Sequence, residues 1–96
     1  MNEKHRFPPL DLLKATHTFP GAYTFKVIGE NQNSFPQRVM EAALMAAPDS
    51  DPKTSIRETD SGKHMAVTLE VKAQSAEKVI RIYEELVKLS GTVLVL

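Results

Sequence analysis

The order in which the hydrophobic period changes along this chain limits its fold more than any other feature. Tyr23, Phe25 and Val27 recur with the period of two that is typical of a half-buried strand. The period then lengthens to that of a helix, whose apolar stripe consists of Phe35, Val39, Ala42, Ala43 and Ala46. After a turn at "DSGK" the period of two returns most cleanly, and its buried side is predicted to consist of Met65, Val67, Leu69 and Val71.

Capping signals predict where the helices begin and end. Ser34, followed three residues later by Gln37, fits a capping box, so the first of these helices is predicted over residues 34–47. Ser75 is the predicted N-cap of a second amphipathic helix, and Gly91 ends it. The apolar face of this second helix is predicted to consist of Ala76, Val79, Ile80, Tyr83, Leu86 and Val87.

Two further strands complete the pattern. A weak, polar strand surrounds Ile56, and "TVLVL" forms the last one. The resulting order βαββαβ predicts an α+β fold, the ferredoxin-like plait, in which a four-stranded antiparallel sheet carries two helices on one face. Its first and third strands should be central. This domain is predicted over residues 22–96, after an N-terminal extension, residues 1–21, with a short helix over 10–15.

The charge balance argues against several classes of partner. Lysine plus arginine and aspartate plus glutamate number 12 each among 96 residues, so no long-range field attracts nucleic acid or an anionic membrane. RNA-binding modules of this topology stack bases on aromatic residues of the central strands, but the outward positions here carry none. The chain lacks cysteine, a signal peptide and an apolar run of about 20 residues. We therefore expect a soluble, cytoplasmic protein that binds neither nucleic acid nor membrane.

The last strand is apolar on both of its faces. Val93 and Val95 are predicted to face one side of the sheet, and Leu94 and Leu96 the other. An edge strand of this kind needs cover, which either the N-terminal segment or a second subunit would provide. Because large exposed apolar patches are rare on monomers, we favour the second subunit and expect a homodimer.

The main candidate for a binding site is the stretch between the first strand and the first helix. Backbone N–H groups at a helix start, together with side-chain amides, can hold a carboxylate or another polar ligand. The alternative, which we favour, is that Gly29 lets the chain turn and Ser34 only caps the helix. The candidate ligand-binding residues are Gly29, Glu30, Asn31, Asn33, Ser34 and Arg38.

No residue set is predicted to be catalytic. Asp60, Ser61 and His64 share one tight hairpin, whereas a working triad is usually assembled from separate elements. His5, His17 and His64 lack the spacing of metal ligands. We therefore expect no catalytic site, no metal and no cofactor.

Several short blocks resemble one known family. They are "FKVIGE", the proline–aspartate loop after the first helix, "DSGKHMAVTLEV", "IYEEL" and "VLVL". Over residues 22–96 their kind and order are similar to the small bacterial YbeD family of uncharacterised proteins, often labelled lipoate-related regulatory proteins. The resemblance implies a fold similar to ACT regulatory domains, with a ligand near the loop at residues 29–34 and often across a subunit interface. The N-terminal stretch departs from the family.

These features favour a non-enzymatic, ACT-like regulatory or adaptor module that binds a small metabolite, a metabolic enzyme or both. The alternative is a pure protein–protein interaction module with no small-molecule ligand. An enzyme that uses Glu30, Arg38 or His64 is the third and weakest hypothesis.

Overall fold

The computed structural model describes residues 7–96, and residues 1–6, which include His5, lie outside the described residues. The strands form one antiparallel sheet in the order β2 (Lys53–Glu58), β3 (His64–Ala73), β1 (Gly21–Glu30) and β4 (Thr92–Val95). This confirms the predicted plait, with the first and third strands at its centre. In residues 7–96, no helix has the length and apolar content needed to cross a membrane. The elements are α1 (Leu10–Thr16), β1 (Gly21–Glu30), α2 (Phe35–Ala46), β2 (Lys53–Glu58), β3 (His64–Ala73), α3 (Ala76–Lys88) and β4 (Thr92–Val95).

One face of the sheet carries the core. Phe25 pairs with Leu69 and Val27 with Val67 in the β1–β3 register, and all four side chains are buried. The apolar stripes of α2 and α3 cover this face, so both helices lie on the same side. The buried residues of α2 are those predicted: Phe35, Val39, Ala42, Ala43 and Ala46. Those of α3 are Ala76, Val79, Ile82, Tyr83 and Leu86, so Ile82 replaces the predicted Ile80 and Val87, which are half-buried.

The two predicted helix caps have different outcomes. Ser75 accepts a hydrogen bond from the Lys78 backbone N–H at 3.3 Å, which confirms it as the cap of α3. Ser34 instead adopts a left-handed conformation with φ of 54°, and its side chain makes no capping hydrogen bond. The predicted capping box is therefore wrong. A capping serine needs extended backbone to bring its hydroxyl over the first turn, and the left-handed Ser34 lacks it.

Gly29 is required by the ring that packs against it. A Cβ atom at this position would lie 2.2 Å from Cζ of Phe35, the first residue of α2. The Phe35 ring thus fills the place of a side chain on the core face of β1, and both residues are buried. The absence of a side chain at Gly29 determines where α2 can begin.

The N-terminal segment covers α3. Leu13 of α1 is buried, and the Phe7 ring stacks on Tyr83 with 5.0 Å between centroids. Burial of Leu13 is worth about 2 kcal/mol, whereas the exposed Lys14–Glu77 ion pair at 3.1 Å adds little. The interpretation that this segment covers the last strand is therefore wrong for residues 7–20, which pack on the helix side.

A buried pair of hydroxyl groups links β1 to α3. The Tyr23 and Tyr83 hydroxyl oxygens lie 2.9 Å apart. Burial, and secondly the hydrogen bond with Tyr23, raise the pKa of Tyr83 far above its ordinary value of 10.0. The folded protein therefore holds the Tyr83 proton more tightly than the unfolded chain does.

We predict that Gly29→Ala lowers the free energy of unfolding by about 2 kcal/mol, because the new methyl group overlaps the Phe35 ring. Phe35→Leu should remove this overlap, so Gly29→Ala should cost less when it is added to Phe35→Leu. Urea denaturation of the four proteins of this double-mutant cycle measures the difference. An equal cost in both backgrounds would contradict the proposed contact.

We predict that the Tyr83 proton makes the protein sensitive to alkali. Folding raises the pKa of Tyr83. The contribution of this proton to stability is therefore complete below about pH 10 and is lost as the pH rises above that value. Above this pH the free energy of unfolding of the wild type should fall more steeply than that of Tyr83→Phe, by about 1.4 kcal/mol per pH unit. Denaturation curves over this pH range test the difference. Tyr23→Phe, which leaves the Tyr83 hydroxyl buried, should keep most of the wild-type slope.

Candidate functional site

The loop between β1 and α2, residues 31–34, is attached to the neighbouring hairpin. The Asn31 backbone N–H donates to the Lys63 carbonyl at 3.0 Å, and its side-chain amide donates to the Gly62 carbonyl at 2.9 Å. Gly62 lies in the β2–β3 turn with φ of +75°, as predicted for a hairpin turn. The Asn31 backbone N–H and one N–H of its side-chain amide are therefore used to hold this loop in place.

Arg38 connects the same loop to the start of β4. Its Nε donates to the Asn33 carbonyl at 2.8 Å, and one of its terminal nitrogens, Nη1, donates to the Ser90 carbonyl at 2.8 Å. The guanidinium also lies over the Phe35 ring, 5.4 Å from its centroid. Hydrogen bonds from a charged donor are stronger than those between neutral groups, so these two hydrogen bonds hold the loop and the turn before β4 together.

Glu30 and Arg38 both approach Gly91. A Cβ atom at Gly91 would lie 3.5 Å from Glu30 Oε1 and 3.7 Å from Arg38 Nη2, and the Glu30 backbone N–H donates to the Gly91 carbonyl at 2.9 Å. Gln32 donates its side-chain amide to Glu30 Oε1 at 3.0 Å. One negative and one positive group are thus exposed beside a backbone that carries no side chain.

Asn33 and Ser34 adopt a conformation that residues other than glycine rarely take. Their φ angles are 56° and 54°, both in the left-handed region. Such backbone costs about 1 kcal/mol or more per residue and is found most often at functional sites. Both side chains are exposed, and within residues 7–96 neither makes a hydrogen bond.

The structure therefore separates the candidate ligand-binding residues into those that are used within the protein and those that remain accessible. Gly29 is buried under Phe35 and Asn31 is bonded to the hairpin, whereas Glu30, Asn33, Ser34 and Arg38 surround an accessible corner. Gly91 completes this corner but was not among the candidates. The only signal for it in the sequence was a glycine at the end of a helix, which does not indicate what lies beside it.

The four apolar residues at the end of the chain also divide. Val95 is buried opposite Val27, whereas Leu96 is 57% exposed and Leu94 lies opposite Ile28 on the side of the sheet away from the helices. We call this side the open face. Val93 has no partner in the β1–β4 register, so its placement on the same side as Val95 stays a prediction, and it is 38% exposed. Leu94 and Leu96 therefore lie with Ile28 in an apolar patch on the open face.

The outer edge of β4 presents its backbone to solvent. Lys26 and Leu96 exchange two hydrogen bonds, from N–H to carbonyl, of 3.2 and 2.8 Å. In an antiparallel pair, the residue next to a hydrogen-bonded one points its backbone N–H and carbonyl away from the neighbouring strand. Val95 precedes the hydrogen-bonded Leu96, so its N–H and carbonyl face away from β1. Within residues 7–96, β4 ends the sheet on this side.

The remaining polar clusters are not organised as a catalytic or metal site in residues 7–96. Ser61 Oγ accepts a hydrogen bond from the Lys63 backbone N–H at 3.3 Å, on the exposed turn that it shares with Asp60. Among these residues no group of three or more histidine, aspartate and glutamate side chains could hold a metal ion. A groove of about 330 Å³ lies elsewhere, between Leu10 of α1 and Ile80 and Arg81 of α3.

Two structure comparisons concern the fold. The solution structure of protein HP0495 from H. pylori matches with a TM-score of 0.68 at 16% identity, over 95% of this chain and 97% of that one. The ACT domain of the GTP pyrophosphokinase of Chlorobium tepidum matches with a TM-score of 0.58 at 14% identity, over 79% of this chain and 95% of the domain. The chain therefore has an ACT-like, ferredoxin-like fold.

Sequence comparisons concern the family. Residues 14–96 match the family described as "Protein of unknown function (DUF493)". A UPF0250 protein of Shewanella sediminis is 32% identical over 73 residues, which cover 76% of this chain and 82% of that protein. A UPF0250 protein of Vibrio parahaemolyticus is 33% identical over 75 residues, which cover 77% and 79%. The chain belongs to the DUF493 family of small bacterial UPF0250 proteins, which confirms the predicted resemblance to YbeD-like proteins.

Proposed function

We propose that this protein is a non-enzymatic regulatory module, active as a homodimer, that senses a small metabolite at the corner formed by Glu30, Asn33, Ser34, Arg38 and Gly91. Its output is contact with a metabolic enzyme. The observation that carries the proposal is the uncovered apolar patch on the open face, next to an ACT-like sheet edge. The corner lies at the other end of that edge strand.

The dimer proposal rests on the patch of Ile28, Leu94 and Leu96. The two helices and α1 lie on the opposite side of the sheet, so no described element shields this patch. Polar and charged side chains, such as Lys26 and Glu70, make up much of the rest of the open face. An interface with two-fold symmetry uses the same surface on both subunits. A two-fold axis beside β4 would therefore bring the patch of one subunit against the patch of the other and bury the leucines of both.

The ligand proposal rests on the charges at the corner. A ligand with an ammonium and a carboxylate group would find Glu30 for the first and Arg38 for the second. The exposed side chains of Asn33 and Ser34 offer further donors. The carboxylate of Glu30 disfavours a purely anionic ligand such as phosphate, because like charges repel at short distance.

A second candidate function is a protein-interaction module that binds no small molecule. The hydrogen bonds of Asn31 and Arg38 within the protein favour it, because they leave fewer donors for a ligand. This candidate uses the same patch and the same edge strand. The two hypotheses therefore differ only at the corner.

We predict that Leu96→Lys weakens the dimer by at least about tenfold in dissociation constant, because a lysine ammonium cannot be buried in an apolar contact. Ile56→Lys is the matched control: Ile56 is 54% exposed on β2, at the opposite edge of the sheet, against 57% for Leu96. Sedimentation equilibrium of the three proteins measures the effect. A wild-type monomer at high concentration, or equal effects of the two substitutions, would contradict the proposal.

We predict that one or more free amino acids, which carry both an ammonium and a carboxylate, raise the melting temperature of the wild type at millimolar concentration, because they bind only the folded state. Glu30→Gln and Ser34→Ala should reduce this rise. Asp49→Asn, in the exposed loop after the C-terminal end of α2, removes a charge at the end of this helix away from the corner and should leave the rise unchanged. If no compound raises the melting temperature while the dimer persists, the interaction module without a ligand is the better description.

A further inference from the structure

We infer that Arg38 is a positioning residue that holds the start of β4 in the geometry needed for pairing, and so couples the corner to the dimer edge. This inference rests on the proposed function, because it assigns a route between the proposed ligand site and the proposed interface. It gives Arg38 a role beyond binding a ligand.

Two hydrogen bonds join the turn before β4 to α2 and β1, and two others, from the Thr92 N–H to the Leu89 carbonyl and from Thr92 Oγ1 to the Leu86 carbonyl, both at 3.2 Å, join it to the end of α3. Arg38 donates to the Ser90 carbonyl at 2.8 Å, and the Glu30 backbone N–H donates to the Gly91 carbonyl at 2.9 Å. Of the two hydrogen bonds that join the turn to α2 and β1, only the one from Arg38 is donated by a side chain. Because Arg38 also donates to the Asn33 carbonyl at 2.8 Å, a displacement of the loop is transmitted to the turn through one rigid guanidinium group.

The register of β4 is irregular next to this turn. Gly29 pairs with Thr92, whereas its neighbour Ile28 pairs with Leu94, so Val93 is an extra residue in β4. A bulge of this kind bends the strand and interrupts the ladder locally. The turn that Arg38 holds is thus joined to the Leu94–Leu96 segment through the irregular Val93, so a small displacement of the turn can re-orient the edge.

The loop on the other side of Arg38 is strained. Asn33 and Ser34 are both left-handed, and the hydrogen bond from Arg38 to the Asn33 carbonyl helps to keep them so. Nε and Nη1 of Arg38 donate to the Asn33 and Ser90 carbonyls, so a ligand carboxylate would bind through the remaining donors, such as those of Nη2 beside Gly91, and shift the guanidinium that holds both carbonyls. Ligand binding and dimer pairing would then be linked, and each would change the affinity of the other by the same factor.

The test compares Arg38→Ala and Arg38→Lys with Arg81→Ala. Arg81 is exposed on α3, on the helix side of the sheet, so its removal makes the same change in net charge away from β4. Native-state hydrogen exchange reports the Leu96 N–H, bonded to the Lys26 carbonyl, and the Thr92 N–H, bonded to the Leu89 carbonyl. Amides of β2, at the other edge, serve as an internal control in every protein.

We expect exchange of the Thr92 and Leu96 amides to become about tenfold faster in Arg38→Ala, with β2 unchanged, and the dimer dissociation constant to rise by about the same factor. Arg38→Lys should behave like Arg38→Ala, because one ammonium cannot replace a planar fork between two carbonyls. Arg81→Ala should match the wild type in both measurements.

Three results would overturn the inference: unchanged exchange in β4, equal acceleration in β2 and β4, or full rescue by lysine. Each of them leaves the proposed dimer intact if the wild type sediments as one. Conversely, a wild type that sediments as a monomer removes the proposed function, while exchange in β4 still decides whether Arg38 holds the edge.

Discussion

The packing of the Phe35 ring against Gly29 is the constraint on which the rest of this structure depends. It places the first residue of α2 directly beneath the end of β1, so the connecting loop must reverse within a few residues. The left-handed pair Asn33 and Ser34 makes this reversal. The short reversal brings Arg38, one turn into α2, within reach of both the loop and the turn before β4. A core contact thereby determines the geometry of an exposed corner.

The second organising feature is that residues 7–96 cover the sheet on one side only. The three helices of this part of the chain, including α1 of the N-terminal segment, pack on the same face, and the buried tyrosine pair joins β1 to α3 there. The stability of the fold is therefore concentrated on the helix side. The open face can carry Leu94 and Leu96 without any role in that core, which leaves these residues available for contact with another subunit.

Sequence reasoning succeeded where a local pattern was sufficient. Alternation identified the central strands, helical periodicity identified the stripe of α2, and Ser75 capped α3 as predicted. It failed at Ser34, although its residue type and spacing fitted a cap even better. There the conformation is dictated by the approach of Phe35 to Gly29, and a contact between two elements overrides the preference of a serine for the capping position.

The sequence by itself determined the order of the elements and which face of each is buried, because these follow from residue periodicity within single segments. Only the tertiary structure decided that Gly91, which is 53 positions after Arg38, lies close to both its guanidinium and Glu30. It also decided that α1 packs on α3 and not on β4, and that Val95 is buried while Leu96 is exposed. These outcomes depend on how whole elements meet, which no spacing within one segment encodes.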